Sequence, residues 1–372
     1  YIPYITPHAQ NDNEMEGKYW DDFTPLATHS HPLPRCIRFS PAQKQTYAVC
    51  SGMNVFVHYN TESEPKIITR HKDFIYTCEY RHDGGLLATG SNDGKIRIFD
   101  PVSKTLMRTL SGHTGAVRSV CWGKDVIYSA GDDKVVKVWD FTTKTTTASY
   151  TVHSDSIRSI ITCPTNPFLL ASASRDHTVV LYDTRASNTI GILKHQNPVE
   201  DIAFHPVGTL LVAAHGPQVA VWDIASNQKI SDDGYHTNEI STISYDKDGQ
   251  RLFTSSLDCS INVYETANYR KLHTMVYPSP ILSFDINCDS TSFVVGLNNG
   301  EVILFTKEST KKHQPHTTSS ARYFFQGKNQ THDKPSELTK KKREDAYSHY
   351  LRQFNSVKRW MPRLHRTMNR RL

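Results

Sequence analysis

The segment from Gly112 to Asp140 reads GHTGAVRSVCWGKDVIYSAGDDKVVKVWD. It begins with a Gly-His pair, continues through a strand with alternating valines and an Asp-containing turn, and ends on Trp139-Asp140 after a second alternating strand. Short runs in which apolar and polar residues alternate predict β-strands. The segment therefore predicts one four-stranded blade of a β-propeller.

An aromatic residue followed by an acidic residue recurs along the chain in the manner of the WD-repeat signature. Five of these endings are clear: Phe99-Asp100, Trp139-Asp140, Tyr182-Asp183, Trp222-Asp223 and Tyr264-Glu265. Two more, at His58 and Phe305, are degenerate. Successive endings lie 41, 40, 43, 40, 42 and 41 residues apart, close to the ~40–45 residues of this repeat. The chain therefore predicts an all-β fold, a seven-bladed WD-repeat β-propeller over residues 19–306.

Four blades carry a histidine, a hydroxyl residue, an aspartate and an aromatic residue at a constant phase. These sets are His71, Thr89, Asp93 and Phe99; His113, Ser129, Asp133 and Trp139; His153, Ser172, Asp176 and Tyr182; and His236, Thr254, Asp258 and Tyr264. They resemble the buried hydrogen-bonded sets of WD-repeat propellers, in which Asp accepts from the His N–H and the hydroxyl joins the network. Only Trp139 offers an indole donor. A Ser-His-Asp hydrolase is the alternative. Because the same residues recur at the same position of several repeats, a structural role is favoured over a catalytic one.

The remaining blades are atypical. The blade that ends at Trp222 keeps His195 but has Gly216 where Asp is expected, and Gly52 and Asn299 stand at this position in the outermost blades. Because an open ring would leave strand edges unpaired, residues 24–29 are predicted to supply the strand that closes the last blade.

Composition excludes several classes of function. The seven cysteines stand at no metal-ligand or disulfide spacing, which indicates reduced, intracellular thiols. No apolar run reaches the ~18 residues that a membrane span needs, and the N-terminal residues lack a signal-peptide pattern. A P-loop and a metalloprotease His-Glu-x-x-His helix are also absent. The sequence predicts a soluble protein that has no cofactor, no metal and no catalytic residue, and that does not associate with a membrane.

Charge divides the chain into two parts. From Lys307 to Leu372 there are 17 Lys and Arg against 5 Asp and Glu, a net charge of +12, whereas the remainder has 26 against 32, a net charge of −6. A basic tail on an acidic propeller suggests contact with nucleic acid or an acidic protein, and a solvated tail is the alternative.

The ends of the chain are predicted to lie outside the propeller. Residues 1–18 indicate an extended arm that becomes ordered on a partner. Residues 307–335 indicate a basic linker with an aromatic anchor, and residues 336–361 an amphipathic helix that begins a C-terminal helical region. One face of this helix must dock on a partner or on further helices; its residues are Tyr347, Tyr350, Leu351, Phe354 and Val357.

Two groups of residues are candidates for contacts with RNA or a protein partner. In the propeller, Arg118 and Arg158 occupy equivalent points of neighbouring inner strands and Arg175 precedes Asp176, so the three could gather at one rim. They would then bind phosphate or carboxylate, or they are three solvated charges. In the tail the candidates are Arg322, Tyr323, Phe324, Phe325, Lys328, Lys340, Lys341, Lys342 and Arg343. Their interleaved aromatic and basic residues could stack bases and neutralise phosphates, or the aromatic residues could pack on the side of the propeller.

The chain as a whole resembles one particular family. Tyr19-Trp20, the Thr24-Pro25 strand, seven repeats, the segment Phe324-Phe-Gln-Gly-Lys-Asn329 and a helix of the form Tyr-x-x-Tyr-Leu-x-x-Phe are similar to the U-three small nucleolar RNA-associated WD-repeat proteins numbered fifteen. This resemblance implies a nucleolar subunit of the transcription-linked (UtpA) subcomplex of the small-subunit processome. It implies binding of the 5′ external spacer of precursor ribosomal RNA and of sister WD-repeat subunits, and a helical C-terminal domain.

The leading hypothesis is therefore a non-catalytic scaffold in ribosome biogenesis. The alternative is a generic WD-repeat adaptor, such as a substrate receptor of a ubiquitin ligase or a chromatin-associated subunit, which the propeller permits equally well.

Overall fold

The computed structural model describes residues 23–43, 45–59, 64–186, 188–234 and 236–307. These residues form seven four-stranded antiparallel sheets, and no helix occurs among them. Each strand is a short run of β-branched, aromatic and other apolar residues, and the turns between strands are rich in Gly, Asp and Asn, which accounts for the short, regular elements. The predicted seven-bladed β-propeller is confirmed.

The blades follow one another along the chain, and each runs from an inner strand at the channel to an outer strand. Blade 1 comprises β2 (Pro34–Phe39), β3 (Thr46–Ser51), β4 (Asn54–Tyr59) and β5 (Lys66–Ile68), and blade 2 comprises β6 (Ile75–Tyr80), β7 (Leu87–Ser91), β8 (Lys95–Asp100) and β9 (Thr105–Ser111). Blade 3 comprises β10 (Val117–Trp122), β11 (Val126–Gly131), β12 (Val136–Asp140) and β13 (Thr146–Tyr150), and blade 4 comprises β14 (Ile157–Thr162), β15 (Leu169–Ser174), β16 (Thr178–Asp183) and β17 (Asn188–Lys194). Blade 5 comprises β18 (Val199–Phe204), β19 (Leu210–His215), β20 (Gln218–Asp223) and β21 (Gln228–Gly234), and blade 6 comprises β22 (Ile240–Tyr245), β23 (Arg251–Ser256), β24 (Ser260–Glu265) and β25 (Lys271–Val276). Blade 7 comprises β26 (Ile281–Ile286), β27 (Ser292–Leu297) and β28 (Glu301–Lys307), with β1 (Phe23–Ser30) as its outer strand.

The ring is closed by β1, which comes from the other end of the chain. It pairs antiparallel with β28, from Phe23 opposite Lys307 to Ser30 opposite Glu301. Residues 24–29 lie within this strand, which is one residue longer at each end. Phe23 anchors it, because its side chain is 2% exposed and its ring lies 5.2 Å from that of Phe293.

The core lies between the blades. Apolar side chains of one sheet pack on those of the next, as where Phe253 of blade 6 stacks on Phe284 of blade 7 with ring centroids 5.6 Å apart. Each blade therefore depends on its neighbours for burial of its apolar faces.

A bulge recurs at the start of every inner strand and determines what lines the channel. In blade 3, Val117 pairs with Gly131 and Ser119 with Ala130, so Arg118 has no partner in the register. The same shift between the first and third residues occurs in the other six blades. Such a bulge redirects a side chain out of the regular alternation. It places the second residue of each inner strand at one end of the channel.

Several predicted segments lie outside the described residues. These are the arm (1–18), residues 19–22, the linker and aromatic anchor from residue 308 onward, and the helix 336–361 with its proposed docking face. In the part of the chain that the structure describes, no helix is long and apolar enough to cross a membrane.

Candidate interaction site at the channel mouth

One residue from each blade lines the mouth of the central channel. In order from blade 1 to blade 7 this mouth ring consists of Arg35, Tyr76, Arg118, Arg158, Glu200, Ser241 and Leu282. The ring surrounds a cavity of about 210 Å³, and Arg175 reaches the same cavity from a turn of blade 4. Sequence reasoning singled out Arg118 and Arg158 by their equivalent positions. The same equivalence, extended to every inner strand, would have identified Arg35, Tyr76 and Glu200.

Arg118 is held on two sides. Its Nε and Nη2 donate to the two carboxylate oxygens of Asp132 at 2.9 and 2.6 Å, a bidentate pair with defined geometry. Its guanidinium carbon lies 3.9 Å from the ring centroid of Tyr76, and that of Arg35 lies 5.2 Å from the same centroid. Blades 1 to 3 thus present two guanidinium groups and one aromatic ring to the mouth.

Arg158 and Arg175 converge on one carboxylate. The Nε of Arg158 donates to Glu200 at 2.7 Å, and the Nε of Arg175 donates to the other oxygen of Glu200 at 2.9 Å. Burial opposes ionisation of Glu200, but the two guanidinium groups hold its pKa below the usual value. The structure therefore brings Arg118, Arg158 and Arg175 to one cavity, each ion-paired with a carboxylate of the propeller. They form neither an open phosphate clamp nor three solvated charges.

Deeper in the channel the lining is polar and acidic. Asp201 accepts from the backbone N–H of Ile243 at 2.9 Å, and Asp285 accepts from that of Phe39 at 2.7 Å, so both carboxylates join neighbouring blades. Burial raises the pKa of Asp285 to about 6 and that of Glu79 to about 7. The cation among these groups is Arg38, which donates to Glu79 at 3.0 Å.

Blade 3 contains the complete buried set predicted from the opening segment. The Nε1–H of Trp139 donates to Ser129 Oγ at 2.7 Å, Ser129 lies 2.6 Å from His113 Nε2, and His113 Nδ1 lies 2.7 Å from Asp133. This order of donors requires a proton on Nδ1 of His113. Ser129 is 0% exposed, so its hydroxyl is closed to a substrate and serves the architecture.

Two other blades complete the set with a different donor: blade 4 uses the residue at the aromatic position, and blade 6 uses the residue opposite its threonine. In blade 4, His153 lies between Asp176 at 2.9 Å and Ser172 at 2.7 Å, and the phenol of Tyr182 lies 3.1 Å from Ser172 Oγ. In blade 6, His236 lies between Asp258 at 3.0 Å and Thr254 at 2.7 Å, and Asn262 Nδ2 approaches His236 at 3.2 Å. Tyrosine phenol and asparagine amide thus replace the indole donor.

Blade 2 departs from the expected set. Thr89 lies 3.0 Å from His71 Nε2, but Asp93 does not accept from the histidine. The guanidinium of Arg97 lies between them, donating to His71 Nδ1 at 3.1 Å and to Asp93 at 2.6 Å. Phe99 cannot donate a hydrogen bond. The buried guanidinium group of Arg97 donates to Nδ1 of His71, so this nitrogen accepts a hydrogen bond, whereas the corresponding nitrogen of His113 donates to Asp133. The prediction that Asp93 accepts a hydrogen bond directly from His71 is therefore wrong for this blade.

Blade 5 lacks two members of the set. Its β19–β20 turn has only the two residues Gly216 and Pro217, with Gly216 at φ +60°, so no aspartate reaches His195. Ala213 lies opposite Ala220 in the register, and the equivalent pair in blade 3 is Ser129 and Lys137. Blade 5 therefore has an alanine where blade 3 has the hydroxyl residue. Both ring nitrogens of His195 and the indole nitrogen of Trp222 are buried without a hydrogen-bond partner among the described residues.

Several predicted residues do not enter this geometry. The tail candidates Arg322, Tyr323, Phe324, Phe325, Lys328, Lys340, Lys341, Lys342 and Arg343, and the helix face Tyr347, Tyr350, Leu351, Phe354 and Val357, lie outside the described residues. Within the described ranges no group of three or more His, Cys, Asp or Glu could hold a metal ion, and all seven cysteines are free.

The fold and its buried sets define a WD-repeat protein. The family described as WD domain, G-beta repeat matches residues 63–100, 104–140, 144–183, 187–223 and 230–265, and each match spans the outer strand of one blade and the first three strands of the next. A chain in the crystal structure of the mitotic checkpoint complex shares the fold, with a TM-score of 0.70 and 18% identity, covering 76% of this chain and 91% of that chain.

Curated relatives narrow the assignment. The chain is 36% identical over 319 residues to the U3 small nucleolar RNA-associated protein 15 homolog of Xenopus laevis, covering 83% of this chain and 62% of the relative. It is 33% identical over 353 residues to the homolog of Bos taurus, covering 91% of this chain and 68% of the relative. The chain belongs to the family of U3 small nucleolar RNA-associated protein 15, and it spans less than two thirds of the Xenopus relative.

Proposed function

We propose that this chain is a non-catalytic scaffold subunit of the small-subunit processome, acting in nucleolar ribosome biogenesis as part of a UtpA-type subcomplex. The observation that carries the proposal is its membership of a family whose curated members are named for association with U3 small nucleolar RNA. The closed Ser-His-Asp sets agree with a scaffold, because their hydroxyls face buried partners and not a substrate cleft.

In this proposal the two parts of the chain have different partners. The acidic propeller, with its ion-paired mouth ring, contacts sister WD-repeat subunits. The basic segment after residue 306, with a net charge of +12, contacts the 5′ external spacer of precursor ribosomal RNA. A cationic segment gains RNA affinity by releasing counterions, whereas the guanidinium groups of the mouth are already paired within the propeller.

Crosslinking in cells tests this proposal. Cells that express either the tagged intact chain or a tagged version ending at residue 306 are irradiated. The RNA and proteins recovered with each version are then identified. The 5′ spacer is expected with the intact chain, and sister subunits are expected with both versions. Recovery of neither, together with localisation outside the nucleolus, would overturn the proposal, and co-purification with a cullin-type ligase or histone peptides would favour a generic adaptor.

A further inference from the structure

Three cysteine side chains meet in the apolar layer between blades 1 and 2. Cys36 of β2 pairs with Cys50 of β3 in the register, and Cys78 lies in β6, the inner strand of blade 2. The sulfur atoms of Cys36 and Cys78 are 4.0 Å apart, although the two residues are 42 positions apart in the sequence. The fold therefore creates a pair of neighbouring thiols on two different blades, which the spacing of the cysteines in the chain does not reveal.

The three thiols differ in their access to the channel. Cys36 lines the cavity at the channel mouth and is 7% exposed, whereas Cys50 and Cys78 are 0% exposed. The cavity has a volume of about 210 Å³, far above the ~10–15 Å³ that admits a water molecule. A small oxidant such as hydrogen peroxide can therefore reach Cys36 from the channel, while the other two sulfur atoms lie behind it.

The surroundings of Cys36 favour its thiolate form. Hydrogen bonds from two neighbouring thiols, Cys50 first and Cys78 second, lower the pKa of Cys36, although burial acts in the opposite direction. The positive charge of Arg38 also lowers it, and the backbone N–H of Cys78 points at the Cys36 sulfur with an N–S distance of 3.4 Å. Since the thiolate is the reactive form of cysteine, Cys36 is the nucleophile of the group.

The environment of Cys78 depends on the state of Cys36. The hydrogen bond to Cys36 is the largest of the causes that raise the pKa of Cys78, and the negative charge of Cys36 adds to it. Oxidation of Cys36 removes this charge, so the Cys78 sulfur becomes a better nucleophile once its neighbour has reacted. Access, thiolate character and proximity thus give the two residues successive roles.

We propose that Cys36 and Cys78 form an oxidation site, at which a peroxide converts the two thiols into a disulfide between the inner strands of blades 1 and 2. The Cys36 thiolate attacks one oxygen of hydrogen peroxide, the O–O bond breaks, and uptake of a proton gives a sulfenic acid on Cys36 and a water molecule. The Cys78 sulfur then attacks the Cys36 sulfur, the S–O bond breaks, and the Cys78 proton leaves with the hydroxyl group as a second water.

This reaction balances without any further reagent, because the peroxide gains the two electrons that the two sulfur atoms lose. It is compatible with the reduced thiols predicted from the sequence, since disulfides inside cells are usually transient. The inference goes beyond the proposed function and does not depend on it.

Oxidation of the purified, intact chain with hydrogen peroxide tests the site. The reduced chain is treated with peroxide for increasing times, the remaining thiols are alkylated, and the peptides are mapped by mass spectrometry. A linked pair of peptides containing Cys36 and Cys78 is expected, and a dithiol reductant should separate them. The exposed, free Cys288 is the internal reference, and the disulfide should form about tenfold or more faster than Cys288 is oxidised.

Four variants assign the roles of the cysteines. In Cys78→Ser the reaction should stop at the sulfenic acid of Cys36, which a cyclic diketone traps as a stable thioether. Cys36→Ser should form no disulfide at the same dose of peroxide. Cys50→Ser should keep the disulfide, because serine also donates a hydrogen bond to Cys36. Cys163→Ser is the matched control, since Cys163 is buried but lies outside this group, and it should behave as the unsubstituted chain does.

Three results would overturn the inference: oxidation of Cys288 while Cys36 and Cys78 stay free, a disulfide between Cys36 and Cys50 in place of Cys78, or no trapped sulfenic acid in Cys78→Ser. Melting temperatures establish that the variants are folded, and the peptide map of the unsubstituted chain decides the pairing even where a variant does not fold. The assay contains neither RNA nor partner proteins, so its outcome is separate from that of the crosslinking experiment in cells.

Discussion

At the scale of single residues, the hydroxyl of Ser129 satisfies a buried histidine and a buried indole together. It accepts from Trp139 and lies within hydrogen-bonding distance of His113. In blade 5 the equivalent residue is Ala213, and the nitrogens of His195 and Trp222 remain without partners in the described structure. Because an unsatisfied buried polar group costs more than a hydrogen bond contributes, these two positions should respond to substitution in opposite directions.

Ser129→Ala is expected to lower the free energy of unfolding by about 1–3 kcal/mol, since it leaves two buried nitrogens unsatisfied. Ala213→Ser is expected to raise it by about 1 kcal/mol, since the new hydroxyl can accept from Trp222 and donate to His195. Urea denaturation measures both values. Ala130→Ser, a buried hydroxyl on the opposite face of the strand from Ser129, is the control and should destabilise. A fall in stability for Ala213→Ser would show that blade 5 has no room for the network.

Buried histidines should make the fold sensitive to acid. Burial is the main cause that lowers the pKa of His31 and His71 to about 4 and that of His58 and His195 to about 3. The unfolded chain binds protons near its ordinary histidine pKa of about 6.5. Stability is therefore fully present above this pH and is lost as the pH falls toward the folded-state values, by up to about 1.4 kcal/mol per histidine and pH unit.

The variant His58→Gln tests this acid sensitivity. His58 Nε2 lies 3.0 Å from His31 Nε2, so two protonated rings cannot coexist there. The variant should lose some stability at neutral pH but show a shallower decline in urea midpoint below about pH 6.5. His82→Gln, at an exposed position, should keep the wild-type slope. An unchanged slope in His58→Gln would contradict the assignment.

At the scale of elements, the bulge at the start of each inner strand separates structural positions from binding positions. The second residue of the strand projects to the mouth, whereas the fourth residue is buried between blades, as Val120 is in β10. Residues can therefore vary at the mouth without loss of the core. Closure depends on another element, β1, whose pairing with β28 joins the two ends of the ring.

Phe23→Ala should weaken this closure. Phe23 is buried against Phe293, and removal of a buried phenyl ring costs about 3–5 kcal/mol. Hydrogen exchange should show greater loss of amide protection in β28 than in β12, because β28 loses its outer neighbour. Leu26→Ala in the same strand, where the side chain is 43% exposed, should change little. Equal exchange in β12 and β28 would indicate that the ring opens as one unit.

At the scale of the whole molecule, charge divides the chain between an acidic propeller and a basic tail. The propeller pairs three of its mouth arginines with Asp132 and Glu200, and the tail, with a net charge of +12, is the larger source of positive potential. Proteins that neutralise phosphates lose affinity steeply with salt, with a logarithmic slope of about −0.7 per contacted phosphate on single strands.

A salt series therefore distinguishes the two parts. The intact chain is expected to bind single-stranded RNA with a steep dependence on salt, and a version ending at residue 306 should lose most of both the affinity and the slope. Fluorescence anisotropy with one labelled oligonucleotide measures both proteins. Retention of the full slope by the shortened version would assign the RNA contact to the propeller.

The sequence by itself determined the number of blades and most of their buried sets. The repeat length and the phase of His113, Ser129, Asp133 and Trp139 are local patterns, and a blade forms wherever such a pattern is met. The equivalent positions of Arg118 and Arg158 in their repeats also predicted that the two residues lie at one rim, because equivalent residues of neighbouring blades face the same channel. The closing strand could be expected on the physical ground that a ring leaves no strand edge free.

Only the tertiary structure decided which charges meet. Glu200 binds two arginines of the preceding blade, and within blade 2 Arg97 separates His71 from Asp93. Neither contact follows from sequence spacing, because the partner of a long side chain depends on which groups the fold brings within reach. The shortened turn of blade 5 shifts the register by one residue and places Ala213 where other blades have a hydroxyl. Local sequence patterns thus determine how many blades the ring has. Packing between blades determines which charged groups meet at its mouth, because these groups come from repeats about forty residues apart.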